Sequence, residues 1–319
     1  MRRLADFSRF VPLLCAVALG LLGPLFSPYV SDFVVKIMIL SIFALSLELL
    51  VGMTGLVSLG HAAFYGIGAY ATVLASGAEG GSIAWLLPLA MGAAGLYALV
   101  VGALSLRTRG VYFIMVTLAF AQMAYFVAHD TKLGGGSDGI YMYVRPALGA
   151  LDMENRRVQF YLVLAALAAT YGLLALVRRS RFGAALAGIR VNEQRMRAAG
   201  FAVYGYKLAA FTLAGALAGL AGFLLAARDG VVNPELLAWH NSGEVLLMII
   251  LGGLGHLRGA IIGAVAFTLL KEVLSTQAFV GPLADHWQLT LGLAIIAFVA
   301  LLPKGLIGIA ARLSPKGDL

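Results

Sequence analysis

Arg178-Arg179-Ser180-Arg181-Phe182-Gly183, continuing through Leu186, Ile189-Arg190, Asn192-Glu193, Arg195-Met196-Arg197 and Gly200 to Lys207, is a basic, partly amphipathic island between two long apolar runs. An island of this kind between membrane spans sits in water, and its density of Arg and Lys places it on the cytoplasmic face. It reads as a surface on which something soluble docks. The apolar runs around it set the fold.

Of the 319 residues 61% are hydrophobic and only 12% charged, with a mean hydropathy of +0.93. A soluble domain averages roughly 25% charged and about 45–50% apolar. The chain is therefore expected to be an all-α polytopic membrane protein, one transmembrane domain over 1–319 with a cytoplasmic loop at 179–205. Its 39 glycines suit helices that approach closely in lipid. The formal charge of +8 is concentrated beside the ends of apolar runs, the positive-inside pattern rather than a nucleic-acid surface. The single cysteine, Cys15, excludes a disulfide framework and a cysteine metal cluster. Met1-Arg2-Arg3 and the run after it have no small-residue cleavage site, so this run is read as a retained first span.

A span needs about 20 apolar residues. Candidates are 10–27, 33–52, 60–76, 83–105, 110–128, 157–178, 206–227, 243–256, 258–275 and 287–303. The third and eighth are short enough to be tilted, broken or re-entrant, so about eight to ten spans are expected. Arg2, Arg3 and Arg9, then Arg107 and Arg109, the basic island, Arg258, and finally Lys304, Arg312 and Lys316 all fall on one side of such a bundle. Both termini are then cytoplasmic. The outer loop 129–156 runs against this pattern with Lys132, Arg145 and Arg156, and Arg157 follows at the start of the next span. Leu59-Gly60-His61 is echoed by Leu254-Gly255-His256, a tripeptide pair of the kind that internal repeats leave.

On a single helix over 182–200, Phe182, Leu186, Ile189, Met196 and Gly200 share one stripe with Glu193. Arg190 and Arg197 are spaced to pair with Glu193. One reading is a docking helix that enters a partner's groove. The other is a helix lying among lipid headgroups. Asn192 is placed to cap a second short helix and so break the stripe.

Inside the spans, Glu48 is a costly carboxylate, either on the translocation path or reaching water near a helix end. Gly52 to His61 interrupts two apolar runs, so Thr54, Ser58 and His61 either line a path or belong to a turn. Thr117 and Gln122 face a polar path or bond across helices. His61 has no companion at ligand spacing, and no metal site is expected. Gly134-Gly135-Gly136-Ser137-Asp138-Gly139 is a turn signal without the context of a phosphate loop. No Gly-Lys-Ser or Gly-Lys-Thr occurs, and no catalytic constellation is visible.

Several stretches together resemble the permease subunits of bacterial branched-chain amino acid ABC importers, and among them the LivM type. They are Gly55 to Tyr70, Arg109-Gly110-Val111-Tyr112-Phe113 with Val116 to Gln122, Gly135-Gly136-Ser137-Asp138-Gly139, Ser180-Arg181-Phe182-Gly183, Ile189-Arg190 with Asn192-Glu193, Gly200, Lys207 with Ala210-Phe211, Asn233-Pro234, Glu244, and Leu251 to Gly255. They cover roughly 40–300. Departures are a carboxylate at Glu48 where the family often has an amide, Ala184 where a basic residue often follows Phe-Gly, and Arg195 and Arg197 where the family tends to be apolar.

The resemblance implies an ABC importer permease fold in the bacterial inner membrane and a transport subunit rather than an enzyme. It implies a second homologous permease, two cytoplasmic ATPases that carry ATP and Mg, and a periplasmic substrate-binding protein. No cofactor is implied for this chain itself. The coupling loop would use Arg181, Phe182, Gly183, Leu186, Ile189, Arg190, Glu193, Arg197 and Gly200. Related systems carry urea, short amides or aromatic acids, so another small solute is the alternative cargo. A proton-coupled secondary transporter with Glu48 as carrier is the rival machinery.

Overall fold

The computed structural model describes residues 18–21, 23, 26–77, 80–149, 151–277, 281, 286–302 and 305–308. The first candidate span, 10–27, lies mostly outside these residues. So do Arg2, Arg3, Arg9, Cys15, Lys304, Arg312 and Lys316.

Helix α1 (Pro28–Glu48) starts where Ser27 caps it and Pro28 supplies a helical φ at its first position. It runs on into a π-helical turn, Leu49–Thr54, closed by Gly55 at a left-handed φ of 75°. Helix α2 (His61–Ser76) has 16 residues, about 24 Å of rise, short of a hydrocarbon core of about 30 Å. There follow α3 (Ile83–Ser105), α4 (Val111–Asp130), α5 (Arg156–Arg179), α6 (Arg181–Val191), α7 (Glu193–Ala198) and α8 (Val203–Asp229). The last are α9 (Trp239–Gly252), α10 (Leu257–Ser275) and α11 (Trp287–Leu301).

Among the described residues six helices are long and apolar enough to cross a membrane: α1 with its π-turn, α3, α4, α5, α8 and the one beginning at Trp287. A seventh is added if α9 and α10 count as one broken span. The expected eighth and ninth spans are these two limbs, bent by 114° at residues 253–256. Near their open ends Lys271 Nζ lies 2.8 Å from Glu244 Oε1, so the chain reverses rather than continuing across.

Glycine decides the centre. On α8, a Cβ at Gly215 would lie 2.3 Å from Ala98 Cβ, and one at Gly219 would lie 2.5 Å from Ala94 Cβ, both on α3. The neighbouring face meets α2: a Cβ at Gly222 would lie 2.0 Å from the Tyr65 carbonyl, and one at Gly68 would lie 2.5 Å from Gly219 Cα. In lipid, where apolar burial gives helices no driving force to associate, such backbone approach supplies the contact. By contrast α4 buries only Phe113, Thr117 and Ala121, one narrow stripe, and leaves Met115, Met123, Phe126 and Val127 exposed. That outward face suits hydrocarbon.

The loops sort to two ends. At one end the strands β1 (Ile140–Tyr141) and β4 (Val231–Val232) pair antiparallel, Ile140 opposite Val232, with a small hairpin of β2 (Ala147–Leu148) and β3 (Leu151–Asp152) beside them. The Gly134 to Gly139 run forms two tight turns here; Tyr70 donates to the Gly134 carbonyl at 3.2 Å. At the other end lie the basic island, Arg109, the π-turn and the α9–α10 bend. The loop 129–156 is thus remote from the basic end despite its own cations. His61 and His256, the echoed pair, both stand at helix starts, but His61 is fully buried and His256 exposed.

Candidate functional site

The basic island is two helices. Asn192 leaves helical geometry at φ −156° and its side chain accepts from Arg195 N at 2.9 Å, starting α7. This overturns the single helix over 182–200: a side chain that satisfies an orphan amide at a new N-terminus competes with helix continuation. Ser180 caps α6 in the same way, accepting from Gly183 N at 3.2 Å. Gly183, Leu186 and Ile189 are buried in the chain's own bundle, and Phe182 stacks on Tyr206 at 5.7 Å. Phe182, Leu186 and Ile189 of the apolar stripe are therefore covered and unavailable to a partner's groove. Arg181, Val191, Arg195, Arg197 and Gly200 face outward.

Glu193 anchors α7. Its oxygens lie 2.5 Å from Arg197 Nη2, 2.6 Å from Lys207 Nζ and 3.9 Å from Arg109 Nη2. The spacing-based pairing with Arg190 does not occur. Partial burial alone would raise the Glu193 carboxyl; the Lys207 hydrogen bond and the charges of Lys207, Arg197 and Arg109 more than reverse this and hold it below the usual range. A carboxyl depressed in the folded state stabilises it above the unfolded value of about 4.3 and loses that contribution as pH falls through the folded value. The α7–α8 contact is therefore expected to hold at neutral pH and to loosen below the ordinary carboxylate range. Amide exchange over 193–200 should quicken there, and should already be fast at pH 7 in Glu193→Gln. Equal exchange in both proteins at pH 7 would remove the anchor.

Arg190 turns the other way. Its guanidinium donates to the carbonyl of Gly52 in the π-turn. A Cβ at Gly55 would lie 3.3 Å from its side chain, and one at Gly255 would lie 3.4 Å from its Nη1. The buried Glu48 carboxylate lies against Gly52, with the backbone of Gly255 and His256 and the charge of Arg190 around it. One side chain from the island thus touches both backbone breaks, the π-turn and the α9–α10 bend. An inner cleft of about 350 Å³ opens beside it, lined by Thr54, Arg109, Ile189, Arg190, Glu193 and Lys207 among others.

Of the other expected path residues, His61 is packed between Phe43, stacked at 5.5 Å, and Phe64, with Nε2 2.8 Å from Ser46 Oγ. Ser58 Oγ accepts from Gly60 N at 3.2 Å, and Thr117 donates to the Ile114 carbonyl at 2.9 Å. A Cβ at Gly60 would lie 2.4 Å from the Thr117 carbonyl, so the backbone between Ser58 and His61 crosses α4 closely at Thr117. Gln122 Oε1 is buried without a partner among the described residues. Among the described residues no group of three metal-ligating side chains occurs.

A larger cavity, about 440 Å³, opens in the half nearer β1 and β4, between α1, the end of α8, α9 and α10. Six charged residues line it: Lys36, Arg228, Asp229, Glu244, Lys271 and Glu272. Its apolar floor includes Ile39, Phe43, Met248 and Phe267. None of the six path candidates lines this cavity. Sequence reading missed Lys36, Arg228, Asp229, Lys271 and Glu272, although the signal was present. Lys36, Lys271 and Glu272 stand inside apolar runs, where a charge is costly and marks a cavity or a partner.

Residues 29–300 match the family described as branched-chain amino acid transport system / permease component. The chain belongs to this permease family. The high-affinity branched-chain amino acid transport system permease protein LivM of Salmonella typhimurium is 30% identical over 300 residues, covering 86% of this chain and 69% of that one. LivM of Escherichia coli gives the same figures. The structure of PsaBC from Streptococcus pneumoniae in complex with Fab aligns over 90% of this permease and 97% of that chain, at 13% identity and a TM-score of 0.48, too slight a likeness to build on. The permease is a multi-pass protein of the bacterial inner membrane and works as part of an ABC transporter.

Proposed function

We propose that this permease forms one half of the pore of an ATP-driven importer for branched-chain amino acids. A second, homologous permease forms the other half. Two ATPase subunits power the pair, one of them docked on the outward face of α6 and α7, and a soluble periplasmic protein delivers substrate. ATP and Mg belong to the ATPases. The observation that carries this reading is Arg190, which joins the basic surface to the π-turn and to the α9–α10 bend. A force applied to α6 reaches two backbone breaks inside the membrane through one side chain. Docking shifts the inward–outward equilibrium only if the ATPases bind the two states differently, and a rigidly held α6 lets them do so. The partner contact itself rests on Arg181, Val191, Arg195 and Arg197 rather than on the buried Leu186 and Ile189.

The rival, a proton-coupled carrier, draws on the buried Glu48 oxygen that has no hydrogen-bond partner among the described residues. Its place against Gly52, beside the α9–α10 bend and Arg190, suits a side chain that braces the two backbone breaks instead. Reconstitution separates the two. The permease assembled with two ATPases, a second permease and a binding protein is expected to take up L-leucine only with ATP. The permease alone, under a pH gradient, is expected to take up none; uptake there would overturn the proposal. ATP-driven uptake of urea, a short amide or an aromatic acid in place of L-leucine would keep the machinery and change the cargo.

A further inference from the structure

We propose that the cavity between α1, α8, α9 and α10 is a substrate-binding site on the translocation path, built for a zwitterionic amino acid with an apolar side chain: Lys36 takes its carboxylate and Glu272 its ammonium. This rests on the import reading above and gives it a place and a chemistry.

The first argument is depth. Lys36 stands eight residues inside α1, about 12 Å of helical rise from Pro28, and is exposed on this chain. A lysine so placed on a lipid-facing surface would be costly. The face that carries Lys36, Glu244, Lys271 and Glu272 therefore looks onto water or onto the second permease, not onto hydrocarbon. The apolar outer face of α4, with Met115, Met123, Phe126 and Val127, carries no charge and suits hydrocarbon.

The second argument is charge balance. Three cations and three carboxylates line the cavity. Four of them pair with each other: Arg228 with Asp229 at 2.7 Å and Lys271 with Glu244 at 2.8 Å. Two do not. Among the described residues Lys36 has no hydrogen bond and no carboxylate within 4.0 Å, lying beside the Arg228–Asp229 pair without bonding to it. Among the same residues Glu272 accepts at its carboxylate only from the Tyr29 hydroxyl, at 2.7 Å, and meets no cation. One unpaired cation and one unpaired anion among the described lining residues of a neutral cavity match a zwitterion. An anionic ligand would leave Glu272 unanswered, a cationic one Lys36, and urea would need neither.

The third argument is the floor. Leu40, Leu225, Leu236 and Trp287, only partly buried, supply apolar surface beside the charged residues, with Ile39, Phe43, Met248 and Phe267 packed behind them, and about 440 Å³ falls within the range of roughly 300–1,000 Å³ for small-molecule sites. Ser275 stands on the rim.

The test uses the assembled transporter in proteoliposomes with Cys15→Ala and Ser275→Cys in this chain, and a membrane-impermeant methanethiosulfonate reagent on the periplasmic side. L-leucine is expected to slow modification about fivefold or more, the least effect of a typical coupling. Two analogues that each lack one charge, 4-methylpentanoate and 3-methylbutylamine, are expected to leave the rate unchanged. Lys36→Met and Glu272→Gln should each abolish protection by L-leucine while the thiol introduced at position 275 still reacts, which shows that the fold survives. Lys36→Arg should restore it. The proposal falls if L-leucine gives no protection in a preparation that imports it, or if either analogue protects equally. It falls also if protection persists in Lys36→Met. Leucine uptake without ATP would sink the import reading instead, whatever happens at position 275.

Discussion

Arg190→Gln is expected to leave the transporter assembled while cutting ATP-driven L-leucine uptake by about tenfold, within the roughly 5–150-fold span of a typical coupling. The carbonyl of Gly52 lies where the helix unwinds, and the arginine supplies its donor. The same side chain abuts Gly255 at the other break, and its charge acts on the buried Glu48. Glutamine removes the charge and shortens the reach, so α6 moves without carrying the π-turn and the α9–α10 bend with it. ATP hydrolysis should continue but lose its response to the loaded binding protein. Arg190→Lys keeps a charge without the planar fork and should recover part of the response. Arg195 is exposed, and its side chain makes no hydrogen bond or ion pair among the described residues; Arg195→Gln should weaken ATPase docking without uncoupling it. Uptake and stimulated hydrolysis in Arg190→Gln that match the parent would dismiss the link.

Gly222→Val is expected to prevent the permease from reaching a stable fold. A Cβ at this position would sit 2.0 Å from the Tyr65 carbonyl and 2.8 Å from the Ala69 amide, both backbone atoms of α2. Backbone does not swing aside as a long side chain does. Helices α2 and α8 must then separate, and the close crossings of α8 with α3 through Gly215 and Gly219 go with them. Overpacking commonly costs about 1–3 kcal/mol and occasionally more; a clash between two backbones belongs at the upper end. Recovery of monodisperse protein in detergent should drop about tenfold or more, since about 1.4 kcal/mol already shifts an equilibrium tenfold. Gly172→Val is the control. It lies on α5 with nothing within 4 Å of its would-be Cβ, and recovery should match the parent. Equal recovery of both variants would show that the α2–α8 crossing tolerates separation.

The two predictions address different parts of one machine. The glycine crossings of α2, α3 and α8 make a rigid block. The π-turn and the α9–α10 bend are the places where backbone hydrogen bonding is interrupted, and Arg190 reaches both. Irregular backbone at membrane depth is tolerated where protein or a watery cavity covers it, and both breaks border the inner cleft or the buried Glu48.

The sequence by itself determined that the chain is helical and lies in a membrane, where its apolar spans run, which end is basic, and that the Gly52–His61 segment interrupts regular structure; between one helix over 182–200 and a break at Asn192 it left both readings open. Those properties are local. Transfer of apolar residues into lipid, capping and turn chemistry act over a few residues and are legible in the order of the chain. Only the tertiary structure decided what the charged side chains meet. Arg190 bonds across 138 residues to Gly52 rather than across three to Glu193, and Tyr29 across 243 residues to Glu272. It decided also that α9 and α10 turn back on each other, and that Lys36, Asp229, Glu244 and Glu272 share one cavity. Which helix faces come together depends on close crossings such as Gly68 on Gly219. That contact is set by packing between distant segments, and no pattern within either segment encodes it.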